Sequence, residues 1–138
     1  MISLLYVSSA YDPFTELQLT DLLSQSRLSN ARVGITGMLL YKDGNFMQLI
    51  EGEEVEIDAL QEKIRLDPRH HGMITLLRKP ITERQFGKWS MGFHDLHSPE
   101  VRAMSGFSEF LNHDLTGHEF RDHPSQAQKL LLSFKDHM

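Results

Sequence analysis

Three polar side chains stand where a plain core would carry apolar ones, and each offers hydrogen-bond chemistry. In Phe46-Met47-Gln48-Leu49-Ile50, period-two alternation puts Gln48 on the face of Phe46 and Ile50. A carboxamide has two N–H donors and an oxygen with two lone pairs, and it costs about 1–3 kcal/mol when buried unpaired. Gln48 therefore reads either as a core amide bonded to backbone or water, or as a ligand contact. Tyr6 shares a strand face with Leu4 and Ser8. Its phenol needs a partner when buried, and a core tyrosine reaching a carbonyl is the plainer reading. Asn30 falls where a helix is expected to end, and a cap is its plainer role.

Other chemistries lack their residues. The eight histidines include His70-His71, read as a turn, and His94 and His97, read as a loop. No HExxH pattern or helix pair of carboxylate and histidine accompanies them, so no metal site is expected. Gly34-Ile35-Thr36-Gly37 reads as strand with no helix after it, which is no phosphate loop. No nucleophile elbow marks a serine. Without cysteine there is no disulfide, thiolate catalysis or cysteine-based zinc site.

These side chains need elements to position them. Ile2 to Ser8 is rich in strand formers. Asp12-Pro13 breaks it, and Thr15-Glu16-Leu17-Gln18 has capping-box spacing. Leu19, Leu22, Leu23 and Ser26 continue at helical spacing, predicting a helix from about Thr15 to Ser29. Val33 to Tyr41 and Asn45 to Glu51 flank Asp43-Gly44, a strong hairpin signal. Glu53 to Leu66 carries Ile57, Leu60 and Ile64 at helical spacing behind an acidic first turn, and Asp67-Pro68 ends it. Met73 to Arg78 and Trp89 to Phe93 read as two further strands.

The order β-α-β-β-α-β-β predicts an α+β fold: a ferredoxin-like sandwich with a mixed five-stranded sheet and two helices on one face. Residues 1–95 form the domain in this reading. Residues 96–138, with Pro99, Gly106, Gly117 and Pro124, are expected to add a C-terminal helical extension. Its stripe Ala127, Leu130, Leu131 and Phe134 would cover the sheet face that the main helices leave bare.

A chain of 138 residues, 40% hydrophobic and 24% charged, has the composition of one folded domain. No apolar run is long enough for a membrane span, and the N-terminus lacks the features of a signal peptide. A cytoplasmic protein without membrane contact is expected. The net charge of -5 argues against direct nucleic-acid binding. Residues 51 to 62 hold six acids and no Lys or Arg, whereas residues 63 to 88 hold seven cations and two acids. That basic surplus suits either a phosphate-bearing ligand or solvated faces.

Taken together, Tyr6-Val7-Ser8-Ser9-Ala10, Asn30 with Gly34-Ile35-Thr36-Gly37, and Phe46-Met47-Gln48-Leu49-Ile50-Glu51-Gly52 resemble the BLUF family of blue-light sensors using FAD. Asp67-Pro68-Arg69-His70 and Arg84-Gln85-Phe86-Gly87-Lys88-Trp89-Ser90-Met91 extend the resemblance, which runs in unbroken order over about residues 2 to 95. It implies the fold just derived, with flavin between the two helices. It makes Tyr6 the electron donor to the excited flavin and Gln48 the amide between phenol and ring. It gives Asn30 the pyrimidine-like ring edge, and places Ser26, Gln48, Lys63, Ile64, Asp67, Arg69 and His70 around the cofactor. Lys63 takes a place often held by arginine. Trp89 and Met91 are implied as the relay of the light signal.

The resemblance implies a reversible photosensor, not an enzyme, that signals to a downstream protein partner, and a homo-oligomer is expected. It also explains the missing cysteine, since rearranged hydrogen bonds need no covalent adduct. A ligand-binding regulatory domain of the same fold is the second reading. A flavin enzyme is the third, although no residues stand out for substrate chemistry.

Overall fold

A computed structural model of the 138-residue chain describes residues 1–42, 44–87 and 91–95. Its elements run β1 (Ile2–Ala10), α1 (Glu16–Val33), β2 (Thr36–Lys42), β3 (Asn45–Gly52), α2 (Glu54–Arg65), β4 (His70–Pro80) and β5 (Gly92–Asp95). Two helices and a four-stranded antiparallel sheet in the order β4-β1-β3-β2 make up the fold. The short β5 lies parallel to β2, with Gly92 opposite Met38. Trp89, Asp43 of the hairpin turn and the expected helices of 96–138 lie outside the described residues.

Local signals set the helix starts. The Thr15 side chain accepts the Gln18 amide N–H while the Gln18 side chain accepts the Thr15 N–H, a reciprocal box that covers two exposed donors. The Glu54 and Glu56 carboxylates sit at the positive end of α2, and Lys63 and Arg65 at its negative end.

The end of α1 differs from the sequence expectation. The helix runs on to Val33, and Gly34 caps it in the left-handed conformation at φ 70°. Asn30 is thus inside the last turn, not its cap: its carbonyl accepts the Gly34 and Ile35 N–H groups, and its side chain is buried. Ala31, Arg32 and Val33 are all compatible with helix, so only the glycine can stop it.

Strand pairing makes two further corrections. His70 and His71 open β4 rather than forming a turn, because they pair with Ala10 and Ser9 of β1. Among the described residues the last strand is Gly92–Asp95, with Met91 outside it and the end two residues beyond the expected Phe93.

Register decides which side chains face the helices. Leu4 pairs with Ile50, Tyr6 with Gln48 and Ser8 with Phe46, while Leu39 and Tyr41 of β2 lie opposite Gln48 and Phe46. This face packs on Leu19 and Leu23 of α1 and Ile57 of α2 in one apolar cluster, joined by Met91. Each fully buried aliphatic side chain there contributes roughly 1.5–3 kcal/mol. The alternate residues Leu5, Val7, Met38, Leu40, Met47 and Leu49 point to the opposite face and are also buried.

Gly37 allows β2 to approach β3 closely. A Cβ there would lie 2.0 Å from the Leu49 carbonyl oxygen. Tight apposition at this point holds the strand that carries Gln48.

Candidate functional site

A cleft partly open to solvent lies between α1, α2 and the sheet. Its floor is Tyr6, Leu39, Phe46 and Gln48. Ser26 and Asn30 of α1 form one wall, Leu60, Lys63 and Ile64 of α2 the other, and Asp67, Arg69 and His70 line one end. All the residues expected to surround a cofactor thus line one cavity.

Polar groups meet at the floor. The Tyr6 hydroxyl donates to Gln48 Oε1, and Gln48 Nε2 donates to Met91 Sδ at 3.4 Å. The amide therefore has an acid on one side and a weak, polarisable acceptor on the other. Cross-strand pairing brings this about: β1 and β3 keep an unbroken register from Ile2 to Ser9, with Tyr6 opposite Gln48. On its other side β1 shifts register against β4 between Leu5 and Tyr6 and again between Val7 and Ser9. Irregularities of this kind re-aim side chains beside functional sites.

Burial, with the Asp67 carboxylate as a lesser contributor, pushes the Tyr6 phenol well above its ordinary range. Tyr6 is neutral at any physiological pH. It can lose an electron readily only if its proton leaves as well, and Gln48 Oε1 already accepts that proton in a hydrogen bond.

The charged end of the cleft is more exposed. Arg69 forms hydrogen bonds with the Asp67 carboxylate, which hold the Asp67 carboxyl below the usual carboxylate range, and the Arg69 guanidinium lies 5.6 Å from the centre of the Phe14 ring. Lys63 lines the same cleft. Three of the seven cations are engaged elsewhere: Arg65 pairs with Glu62, Arg78 with Asp58 and Glu54, and Arg84 with Thr36 and the Glu51 carbonyl. Lys63 and Arg69 are the cations of the 63–88 stretch that line the cleft among the described residues.

His70 offers an open bonding position. Its Nε2 meets the Ile64 carbonyl, which only accepts, so that nitrogen carries the proton. Its Nδ1 is buried with no hydrogen-bond partner. An orphaned acceptor in a cleft wall fits a ligand bearing hydroxyl donors, and neighbouring Arg69 and Lys63 fit anionic oxygens. A flavin nucleotide, with a flat polar-edged ring, a hydroxylated chain and phosphate, carries groups that suit each of these partners.

Two residues that the sequence reading passed over fix the segment leading to Met91. Glu51 is fully buried, and its carboxylate accepts the backbone N–H groups of Gln85 at 2.6 Å and Phe86 at 2.8 Å. Its place in the alternation Met47-Leu49-Glu51 signals an acid on a buried face, although it sits within an acidic run. Arg27 of α1 donates through Nε to the Met91 carbonyl at 3.0 Å. No local pattern marks that contact.

A hydrogen-bonded phenol and amide thus lie at the floor of a cleft whose lining suits a cofactor. The family model described as sensors of blue light using FAD matches residues 1–92, and the chain belongs to this BLUF family. FAD is accordingly its cofactor and blue light its stimulus. The photoactivated adenylate cyclase subunit alpha of Euglena gracilis is 38% identical over 90 residues, covering 64% of this chain and 9% of that protein. The blue light- and temperature-regulated antirepressor BluF of Escherichia coli is 31% identical over 100 residues, 72% of this chain and 25% of that protein. The chain therefore spans a quarter or less of these two relatives.

Solved structures agree. The dark state of the BLUF protein BlrB superposes with a TM-score of 0.71 at 33% identity, covering 94% of this chain and 96% of that one. The BlsA ground state gives a TM-score of 0.77 at 27% identity, over 95% and 87% respectively. No helix among the described residues is long and apolar enough to cross a membrane.

Proposed function

We propose that this chain senses blue light through the hydrogen-bonded series Tyr6–Gln48–Met91 on the floor of the cleft, and passes the change to a protein partner. The observation that carries this reading is the Gln48 amide held between the Tyr6 hydroxyl and the Met91 sulfur. FAD, when bound, supplies a ring that absorbs blue light and takes up an electron once excited. Tyr6 gives up that electron, and its proton leaves along the bond to Gln48. When the proton and electron return, the amide is left rotated or tautomerised. Its N–H then points at the cofactor instead of at Met91, and Met91 loses its donor.

Asn30 and Ser26 hold the ring edge in this reading, while Lys63, Asp67, Arg69 and His70 hold the ribityl and phosphate portion beside Ile64. Their common position around one cleft supports these roles. Met91 and Trp89 carry the change outwards. The domain comprises residues 1–95, with β5 a lasting fifth strand of the sheet.

Relatives named for adenylate cyclase and antirepressor activity point to outputs carried by other segments or partners. We assign this segment the sensing step, in the cytoplasm, with an effector protein as its target. The apolar run Leu130-Leu131-Leu132-Ser133-Phe134 supports a homo-oligomeric contact. The test is the absorption spectrum of the purified protein in darkness, under blue light and after return to darkness. A flavin band that moves slightly to the red and recovers is expected. Flavin absorption that light leaves unchanged contradicts the switch, and a colourless protein that refuses added FAD contradicts the assignment of the cleft.

A further inference from the structure

Met91 is gripped at two points. Its sulfur accepts the Gln48 Nε2–H, and its backbone carbonyl accepts Arg27 Nε–H at 3.0 Å. The two contacts come from different elements, β3 and α1, and the residue between them is 2% exposed. At 100° per residue, adjacent Ser26 and Arg27 lie on different flanks of α1. Ser26 lines the cofactor cleft. Arg27 does not line it and reaches the Met91 carbonyl instead. One helix thus holds both the cleft wall and the methionine on which the switching amide rests.

Resting on the photosensor reading above, we propose that Arg27 is a positioning residue for the switch: its guanidinium fixes the Met91 backbone so that the sulfur waits where the Gln48 amide must return. Thioether sulfur is a weak acceptor on a side chain with three rotatable bonds, so it holds a place only if its backbone is held. A guanidinium N–H to a carbonyl is charge-assisted and directional. With Met91 so fixed, the dark arrangement of Gln48 has a ready partner. Released, Met91 wanders and the amide returns more slowly.

Arg27 is exposed and mid-helix, so Arg27→Ala replaces a good helix former by a better one and the fold should persist. Flavin content should match the wild type, because Arg27 is not part of the cleft. The experiment compares dark recovery of the red-shifted band in the full chain after a blue pulse. Arg27→Ala should recover about threefold or more slowly, the size expected from losing one charge-assisted hydrogen bond at a part-buried site. Arg27→Lys keeps a cationic N–H donor and should recover within about twofold of wild type. In a Met91→Ala background the Arg27→Ala change should add no further slowing, since it acts through that side chain.

Unchanged or faster recovery in Arg27→Ala overturns the proposal while leaving the photosensor reading in place. So does equal slowing by Ala and Lys, or slowing that persists without the Met91 side chain. A wild-type protein with no reversible shift overturns both readings together.

Discussion

Tyr6 and Gln48 stand opposite each other on antiparallel strands 42 residues apart in sequence, with the phenol O–H donated to the carboxamide oxygen. This bond fixes the amide orientation. With Oε1 committed to Tyr6, Nε2 must point the other way, and there it finds Met91 Sδ. A change at the phenol is therefore felt at the methionine through a single rigid group.

The first expectation concerns alkaline pH. The folded Tyr6 pKa is raised above that of the unfolded chain, which is near 10. Its contribution to stability is complete below about pH 10 and is lost as pH rises beyond it, because only the unfolded phenol ionises there. The red shift should keep its full amplitude to about pH 10.5 while the melting temperature begins to fall above about pH 10. Loss of the shift near pH 10 in protein that is still folded would show an ordinary, solvated phenol.

Cofactor binding should divide between ring and phosphate. Lys63→Ala removes a cation from the charged end of the cleft and should weaken FAD binding about three- to tenfold at low salt. The loss should shrink as salt is raised, since the site is exposed. Riboflavin, which lacks phosphate, should bind the variant and the wild type alike. Titrations of both flavins by fluorescence quenching separate the two contributions, and equal weakening for riboflavin would place Lys63 elsewhere.

Close strand packing gives a stability prediction. Gly37→Ala drives a methyl against the Leu49 carbonyl at 2.0 Å, backbone that cannot move without breaking the β2–β3 ladder. A loss of about 1–3 kcal/mol or more is expected from such overpacking. Denaturant unfolding measures it, and a midpoint unchanged from wild type would contradict the geometry.

Glu51 bears on the segment before Met91. Each of its carboxylate oxygens accepts one backbone N–H, from Phe86 and Gln85, inside a site closed to water. Glu51→Gln turns one acceptor into a donor that faces a donor, at a cost of about 1–3 kcal/mol. Hydrogen exchange at the Gln85 and Phe86 amides should accelerate in this variant while amides in β1 stay protected. Uniform acceleration would indicate global loss of stability instead.

Local chemistry was legible in the sequence. Thr15 and Gln18 cap α1 as their spacing implies, and α2 differs from the expected span only by its flanking Glu53 and Leu66. The face shared by Leu4, Tyr6, Ser8, Phe46, Gln48 and Ile50 follows from strand periodicity. Long-range contacts were not legible. His70 and His71 become strand only because β1 offers Ala10 and Ser9 as partners. Arg27 meets Met91 from 64 residues away, and Glu51 meets Gln85 from 34, distances at which local periodicity carries no signal. Asn30 was misplaced as a cap because the stop lies at Gly34, a backbone preference four residues further on.

The central claim is that the Tyr6 hydroxyl and the Gln48 amide together are the switch. Light-minus-dark difference spectra of wild type, Tyr6→Phe and Gln48→Ala at equal flavin loading test it most directly. A reversible red shift in wild type, absent from both variants although flavin stays bound, is the result this account predicts. A full red shift in either variant would contradict it.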